Sequence, residues 1–188
     1  MSACAGRTID RDDVALIVID IQDRLAAVME RREEVVGVAS RLARVAQLIG
    51  APIIETRQYP KGLGGTVPEL AEALETATVV DKTCFCCASE PGFVEALQAT
   101  GRRQVAIVGM ETHICVAQTA LALLDSGYRV HVVADGVCSR FPRDYEIALA
   151  RLRAEGAVVT TSESVMYEAV GRAGTEEFKA LLGIVKQA

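Results

Sequence analysis

The chain has no tryptophan and only four tyrosines and four phenylalanines among 188 residues, so aliphatic side chains and alanine must fill its core. It has no basic cluster. A net charge of −5 and an isoelectric point near 5.2 argue against nucleic acid or an anionic membrane as the main partner. No apolar run approaches the roughly 20 residues that a membrane span needs. The opening, "MSACAGRTIDRDD", shows no charged segment followed by an apolar one and does not read as a secretory signal. A soluble, cytoplasmic protein is the expectation. Internal repeats, low-complexity tracts and interdomain linkers are also missing. What remains is a chain 51% hydrophobic, with mean hydropathy +0.26, long enough for a single domain over residues 1–188. Its six cysteines are expected to be thiols rather than a disulfide framework.

Short β-branched runs alternate with longer helical patterns. Val14–Asp20 ("VALIVID") is almost wholly apolar, as in a strand buried on both faces. A helical stretch over roughly Ala26 to Ile49 follows, closed by Gly50 and Pro52. Then come "PIIET", a loop "RQYPKGLGG", a short helix after Thr66, and the strand "ATVVDK". Helix Glu90–Thr100, strand Gln104–Gly109 and a helix carrying Cys115 and stopping at Gly127 come next. "YRVHVVAD" and "AVVTT" are strands around the helix Arg143–Glu155, and short helices near Ser164–Val170 and Thr175–Val185 end the chain. This alternation implies βαβ units: an α/β fold, a three-layer αβα sandwich of Rossmann-like type with about six parallel strands.

Ligands of open parallel sheets bind outside the carboxyl ends of the strands. The first strand ends in Asp20, the third in Asp81–Lys82, and the fourth in Gly109 ahead of Cys115. An acid, an amine and a thiol thus share one edge, which suits nucleophilic catalysis. A helix start and a nearby ammonium both favour a thiolate, and a carboxylate accepts its proton. With Thr112 as N-cap, Cys115 lies in the first turn, whose N–H groups can hold an oxyanion. Each residue also has a plainer reading: Cys115 packing a helix start, Asp20 capping a helix, Lys82 as a solvated strand-end charge. The shared edge favours a site.

These residues resemble the isochorismatase-like cysteine hydrolases. "LIVIDIQ" (Leu16–Gln22), "VVDKTCF" (Val79–Phe85), "VGMETHICVAQTALALLDSGY" (Val108–Tyr128) and "VHVVADGVCSR" (Val130–Arg140) carry the likeness over nearly the whole chain. "QYPKGLGGTVPEL" (Gln58–Leu70) suggests the small members of unassigned substrate, including the isochorismatase-domain-containing proteins of animals. The resemblance implies an Asp20–Lys82–Cys115 triad. The thiol attacks an amide carbonyl, Asp20 moves the proton, ammonia leaves, and water cleaves the thioester. It also implies a cis peptide joining Met110 to Glu111, with the N–H groups of Glu111 and Cys115 as oxyanion donors. Homo-oligomers are common in such proteins, and a homo-oligomer is expected here.

The chain departs from the family's nicotinamidases, which hold a metal through an Asp and several His after the second strand. Here that region reads "ETRQYPKGLGG", and the two histidines are His113 and His131. No metal and no cofactor is expected, only a small-molecule substrate. Gln58, Tyr59, Phe85 and His113 are the candidate substrate contacts, with Arg57 as a further one and "RQYPKGLGG" as a mobile lid. Its glycines do not match a phosphate-binding loop. Arg140 is a candidate for a carboxylate or a subunit contact. His131 reads as a hydrogen-bonded strand histidine. "CFCC" at Cys84–Cys87 lacks the spacing of zinc or thioredoxin-like sites and reads as small thiols beside the pocket. Two alternatives stand beside the hydrolase: an idle family member that binds partners, and a thiol redox protein using Cys84, Cys86 and Cys87.

Overall fold

The computed structural model describes residues 8–186. Residues 1–7, on which the reading against a signal partly rests, and residues 187–188 lie outside the described residues. Six strands form one parallel sheet: β1 (Val14–Ile19), β2 (Ile53–Gln58), β3 (Thr78–Lys82), β4 (Gln104–Met110), β5 (Arg129–Cys138) and β6 (Val158–Thr160). Their spatial order is β3-β2-β1-β4-β5-β6, with every pairing parallel. This is the doubly wound order, and its direction reverses between β1 and β4.

Eight α-helices accompany the sheet among the described residues: α1 (Asp23–Ala26), α2 (Arg32–Ile49), α3 (Pro60–Leu63), α4 (Pro91–Ala99), α5 (Ala117–Asp125), α6 (Pro142–Ala154), α7 (Ser162–Val170) and α8 (Glu176–Val185). No helix among these residues is long and apolar enough to cross a membrane. Strand alternation sorts side chains onto two faces. Leu16, Val18, Ala106, Val108 and Val133 pack with α2, α7 and α8; Ala15, Ile17, Ile19, Val105, Ile107, Val130 and Val132 pack with α4, α5 and α6. The three layers follow from that division.

The long helix expected from Ala26 is broken. α1 is one turn, and α2 starts at Arg32. The break places Arg31 where its Nε and Nη2 reach Glu34 at 2.7 and 2.9 Å and its guanidinium lies 4.8 Å over the Tyr145 ring. α2 buries Val35, Val38, Ala39, Leu42, Val45 and Ala46 at helical spacing and ends at Gly50 in the left-handed region (φ 69°). Strand β5 runs to Cys138, three residues beyond the expected end, and its pairing with β4 shifts register between Ile107 and Gly109. At the reversal point β1 and β4 approach so closely that a Cβ on Gly109 would lie 2.0 Å from the Ile19 carbonyl oxygen. Gly109 also has φ 130°, a conformation side chains disfavour.

Candidate active site

Asp20 directly follows β1 and adopts φ 55°. Regular alternation would turn its side chain to the α2 face, after Leu16 and Val18. The left-handed backbone breaks that alternation and aims the carboxylate at the other face, where Lys82 waits on the same side of β3 as Val80. The Lys82 Nζ donates to Asp20 Oδ2 at 2.7 Å, and both side chains are fully buried. The Thr56 hydroxyl donates to the other oxygen, Oδ1, at 2.7 Å. Asp20 caps no helix and Lys82 is no solvated charge; the plain alternatives fail for both.

The ammonium is saturated. Besides Asp20 it donates to Gln58 Oε1 at 2.6 Å and to the Cys84 carbonyl at 3.3 Å. Gln58 stands across from Lys82 in the β2–β3 register, and its Nε2 donates to the Thr83 carbonyl at 2.8 Å. Gln58 is therefore a support of the ion pair, with both ends of its amide engaged. Burial alone would depress the Lys82 pKa, but the Asp20 charge, the neighbouring thiols Cys87 and Cys115 and the hydrogen bond to Asp20 raise it, so the group is a fixed cation.

Cys115 sits beside this pair in a π-helical turn, Thr112–Val116, that leads into α5. The Glu111 carbonyl accepts from the N–H groups of Ile114 (3.1 Å) and Val116 (3.3 Å), on either side of the cysteine. The cap position belongs to Glu111, and Thr112 lies inside the turn, its buried hydroxyl lacking any hydrogen-bond partner. This corrects the expectation of a Thr112 cap. The peptide joining Met110 to Glu111 is cis. Glu111 Oε2 accepts from the Arg140 N–H at 2.9 Å and Nε at 3.1 Å, which clamps the turn to the end of β5.

The thiol is 5% exposed. Its pKa lies well above the ordinary thiol value: burial raises it first, the Asp20 carboxylate adds through its charge and a side-chain hydrogen bond, and Lys82 opposes without prevailing. Burial and the carboxylate thus outweigh the ammonium that was expected to favour the thiolate. Such a centre holds a protonated nucleophile against its own base.

A second thiol, one of the "CFCC" group expected beside the pocket, also lies here. Cys87 is fully buried, its Sγ 3.9 Å from the Thr56 hydroxyl, and its pKa is pushed up to about 11, chiefly by burial and against the pull of Lys82. The "CFCC" thiols diverge. Cys84 is exposed, Cys86 Sγ donates to the Gln118 carbonyl at 3.5 Å, and the Cys87 N–H donates to Thr119 Oγ1 at 2.9 Å, so the segment fastens to α5. All five cysteines among the described residues are free.

Tyr59 and Phe85 are 54% and 55% exposed. His113 Nδ1 lies 2.9 Å from Ser139 Oγ and its Nε2 lies 3.8 Å from Asp144, tying the cysteine turn to α6. Arg57 pairs with Asp81 at 2.7 Å on the sheet edge. The expected mobile lid is pinned instead: Gln22 Nε2 holds the Gly64 carbonyl, Arg24 Nη1 holds that of Gly62 at 2.6 Å, and the Asp23 N–H holds that of Gly65 at 3.0 Å. His131 is buried with Nε2 unpartnered, not hydrogen-bonded there as expected, and burial lowers its pKa to about 4. No group of three His, Cys, Asp or Glu among the described residues is arranged to hold a metal ion. Sequence reasoning missed Thr56 and Gln22. Thr56 was findable, since it alternates with Ile54 at the strand end beside Asp20.

The profile of the isochorismatase domain matches residues 14–164. Bovine isochorismatase domain-containing protein 2 is 41% identical over 174 residues, which cover 92% of this chain and 82% of the bovine protein. Among solved structures, the MAR1 ribonuclease of Caenorhabditis elegans superposes with TM-score 0.89 at 37% identity, covering 95% of this chain and 92% of that one. YcaC of Pseudomonas aeruginosa, solved with hexane-2,5-diol and covalent acrylamide, gives TM-score 0.85 at 30% identity over 96% and 92% of the two chains. Escherichia coli YcaC, described as an octameric hydrolase of unknown specificity, gives TM-score 0.85 at 25% identity over 95% and 90%. Fold, edge chemistry and these likenesses agree: the chain belongs to the isochorismatase family.

Proposed function

We propose that the chain is a single-domain, metal-independent cysteine hydrolase of small amides or related acyl compounds. The reading rests above all on one observation: beside the buried Cys115 thiol stands a buried carboxylate, Asp20, held by an ammonium at 2.7 Å and a hydroxyl at 2.7 Å. In this mechanism Cys115 sulfur attacks the carbonyl carbon as Asp20 takes the thiol proton. The N–H groups of Glu111 and Cys115 receive the oxyanion. Asp20 returns the proton to the leaving nitrogen, ammonia departs, and a thioester remains. Water then adds, Asp20 accepts its proton, and the acid leaves as the thiol is restored.

Lys82 has no donor to spare, so its part is electrostatic. It keeps Asp20 anionic and compensates the charge that develops on sulfur. Tyr59, Phe85 and His113 are the proposed substrate contacts, with Gln58 acting through the ammonium. The nearly closed thiol favours small substrates. The ribonuclease description belongs to the worm protein; a net charge of −5 and a nucleophile 5% exposed argue against an RNA strand here. The octameric Escherichia coli relative supports a homo-oligomer, which light scattering in solution tests.

The test is ammonia release from a panel of small primary amides. Cys115→Ala and Asp20→Asn must each abolish any turnover found, and Cys84→Ala must leave it intact. Turnover that survives Cys115→Ala excludes the thioester route.

A further inference from the structure

Gln22 is completely buried and carries no charge, yet its side chain makes three hydrogen bonds, two to the end of β2 and one to the loop that follows it. Its Oε1 accepts from the Gln58 N–H at 2.7 Å, while its Nε2 donates to the Gln58 carbonyl at 3.0 Å and to the Gly64 carbonyl at 2.8 Å. The side-chain amide thus imitates a strand, pairing with residue 58 in both directions where β2 ends. Every polar hydrogen it has is used.

The residue clasped in this way is the one that holds the ammonium. Gln58 Oε1 accepts from Lys82 Nζ at 2.6 Å, and the Gln58 backbone is what Gln22 fixes. Immediately afterwards Tyr59 takes φ 38°, so the chain turns sharply at the clasp. The Tyr59 N–H donates to the Lys82 carbonyl at 2.8 Å, so both ends of Lys82 depend on the conformation of residues 58 and 59.

We infer that Gln22 is a positioning residue: it fixes the Gln58 backbone, Gln58 fixes the Lys82 ammonium, and the ammonium holds the Asp20 carboxylate and favours a thiolate at Cys115 beside it. The functional weight of this relay rests on the hydrolase reading, but the relay itself is a statement about charge at sulfur. It also gives the Tyr59–Gly65 loop a path to the nucleophile, because Gly64 shares the Gln22 amide with Gln58.

A merely structural role and a positioning role move one measurement in opposite directions. Loosened packing exposes buried thiols and speeds their alkylation. Displacing the ammonium from Cys115 lowers its thiolate fraction and slows alkylation. Cys138 is the internal control, since it is buried on the other side of the sheet and its pKa, pushed up to about 12, feels Arg31 and not Lys82. The experiment is iodoacetamide labelling at mildly alkaline pH, resolved by peptide, on the full chain and on Gln22→Met, which keeps the volume and removes the hydrogen bonds. Cys115 is expected to label about threefold more slowly, the value of roughly one hydrogen bond, with Cys138 unchanged. Gln58→Met leaves the backbone clasp intact, removes the acceptor on Nζ together with the bond to the Thr83 carbonyl, and must slow Cys115 likewise, even if Gln22→Met fails to fold. An unchanged Cys115 rate in either folded variant, or a faster one together with Cys138, overturns the inference. Slowing without any amide turnover would keep the relay and sink the hydrolase. Turnover with no slowing would do the reverse.

Discussion

The two faces of the sheet treat polar groups in opposite ways. On the α4–α6 face, at the carboxyl edge, Asp20, Thr56, Gln58 and Lys82 are buried together and every one of them is hydrogen-bonded to another. On the α2–α7–α8 face, His131 falls by alternation beside Val133 and is buried with an unpartnered nitrogen, so it is held neutral. Glu55 also alternates to that face, beside Ile53; it is bonded to the Thr66 hydroxyl, and burial pushes its carboxyl upward. One face is built to keep a charge and the other to refuse it. Both also bury a thiol, Cys115 or Cys138, and burial raises each. Burial therefore does not distinguish a nucleophile from packing; the company of Asp20 and Lys82 separates Cys115 from Cys138.

The largest effect should come from breaking the charged face. Lys82→Met leaves the Asp20 carboxylate buried without its cation and should cost about 3–5 kcal/mol in denaturant unfolding. Asp20→Asn combined with Lys82→Met removes both charges, should recover most of that loss, and should still be inactive. If the single and double variants are equally destabilised, the pair is not what keeps the charge.

Next comes the face that refuses charge. Unfolded, His131 titrates near its ordinary 6.5, whereas folded it titrates near 4. Between those values the unfolded chain binds the extra proton, so stability falls as pH drops through that window, by about 3 kcal/mol in all, and stays lost below it. His131→Val should flatten this acid limb of the stability curve without altering Cys115 labelling. An acid limb as steep as the parent's would place its origin elsewhere.

The smallest effect belongs to the rim. Phe85→Ser should change stability by less than about 0.5 kcal/mol, because the ring is half in water. On any amide that the parent turns over, it should raise KM and leave kcat nearly unchanged. A change confined to kcat would mean that Phe85 acts on the reacting atoms rather than on binding.

The parallel six-stranded sheet, and the placing of Asp20 and Lys82 at its carboxyl edge, were legible because they rest on patterns that survive folding. "VALIVID" is too apolar to be anything but doubly covered, and Asp20, Lys82 and Cys115 each stand at or soon after the end of a strand-like run in the sequence. The parts that escaped depend on three-dimensional company. Nothing local in "RQYPKGLGG" shows that Gln22, Asp23 and Arg24 fasten it down, so it read as a lid. Thr112 has the chemistry of a cap, but the wide turn after the cis peptide moves the cap to Glu111. The sign of the Cys115 shift depends on burial outweighing an ammonium, a balance that sequence spacing does not display. The α1–α2 break goes with a contact of Arg31 on the Tyr145 ring, far along the chain.

The central claim is that a protonated, nearly buried Cys115 is made reactive by Asp20. Peptide-resolved labelling of the folded protein with acrylamide at neutral pH tests it most directly, since a small amide-bearing electrophile offers both a carbonyl for the site and a carbon for the sulfur. The account expects Cys115 to label faster than Cys138 and faster than the exposed Cys84, with the advantage lost in Asp20→Asn. Labelling confined to Cys84, with Cys115 as inert as Cys138, would contradict it.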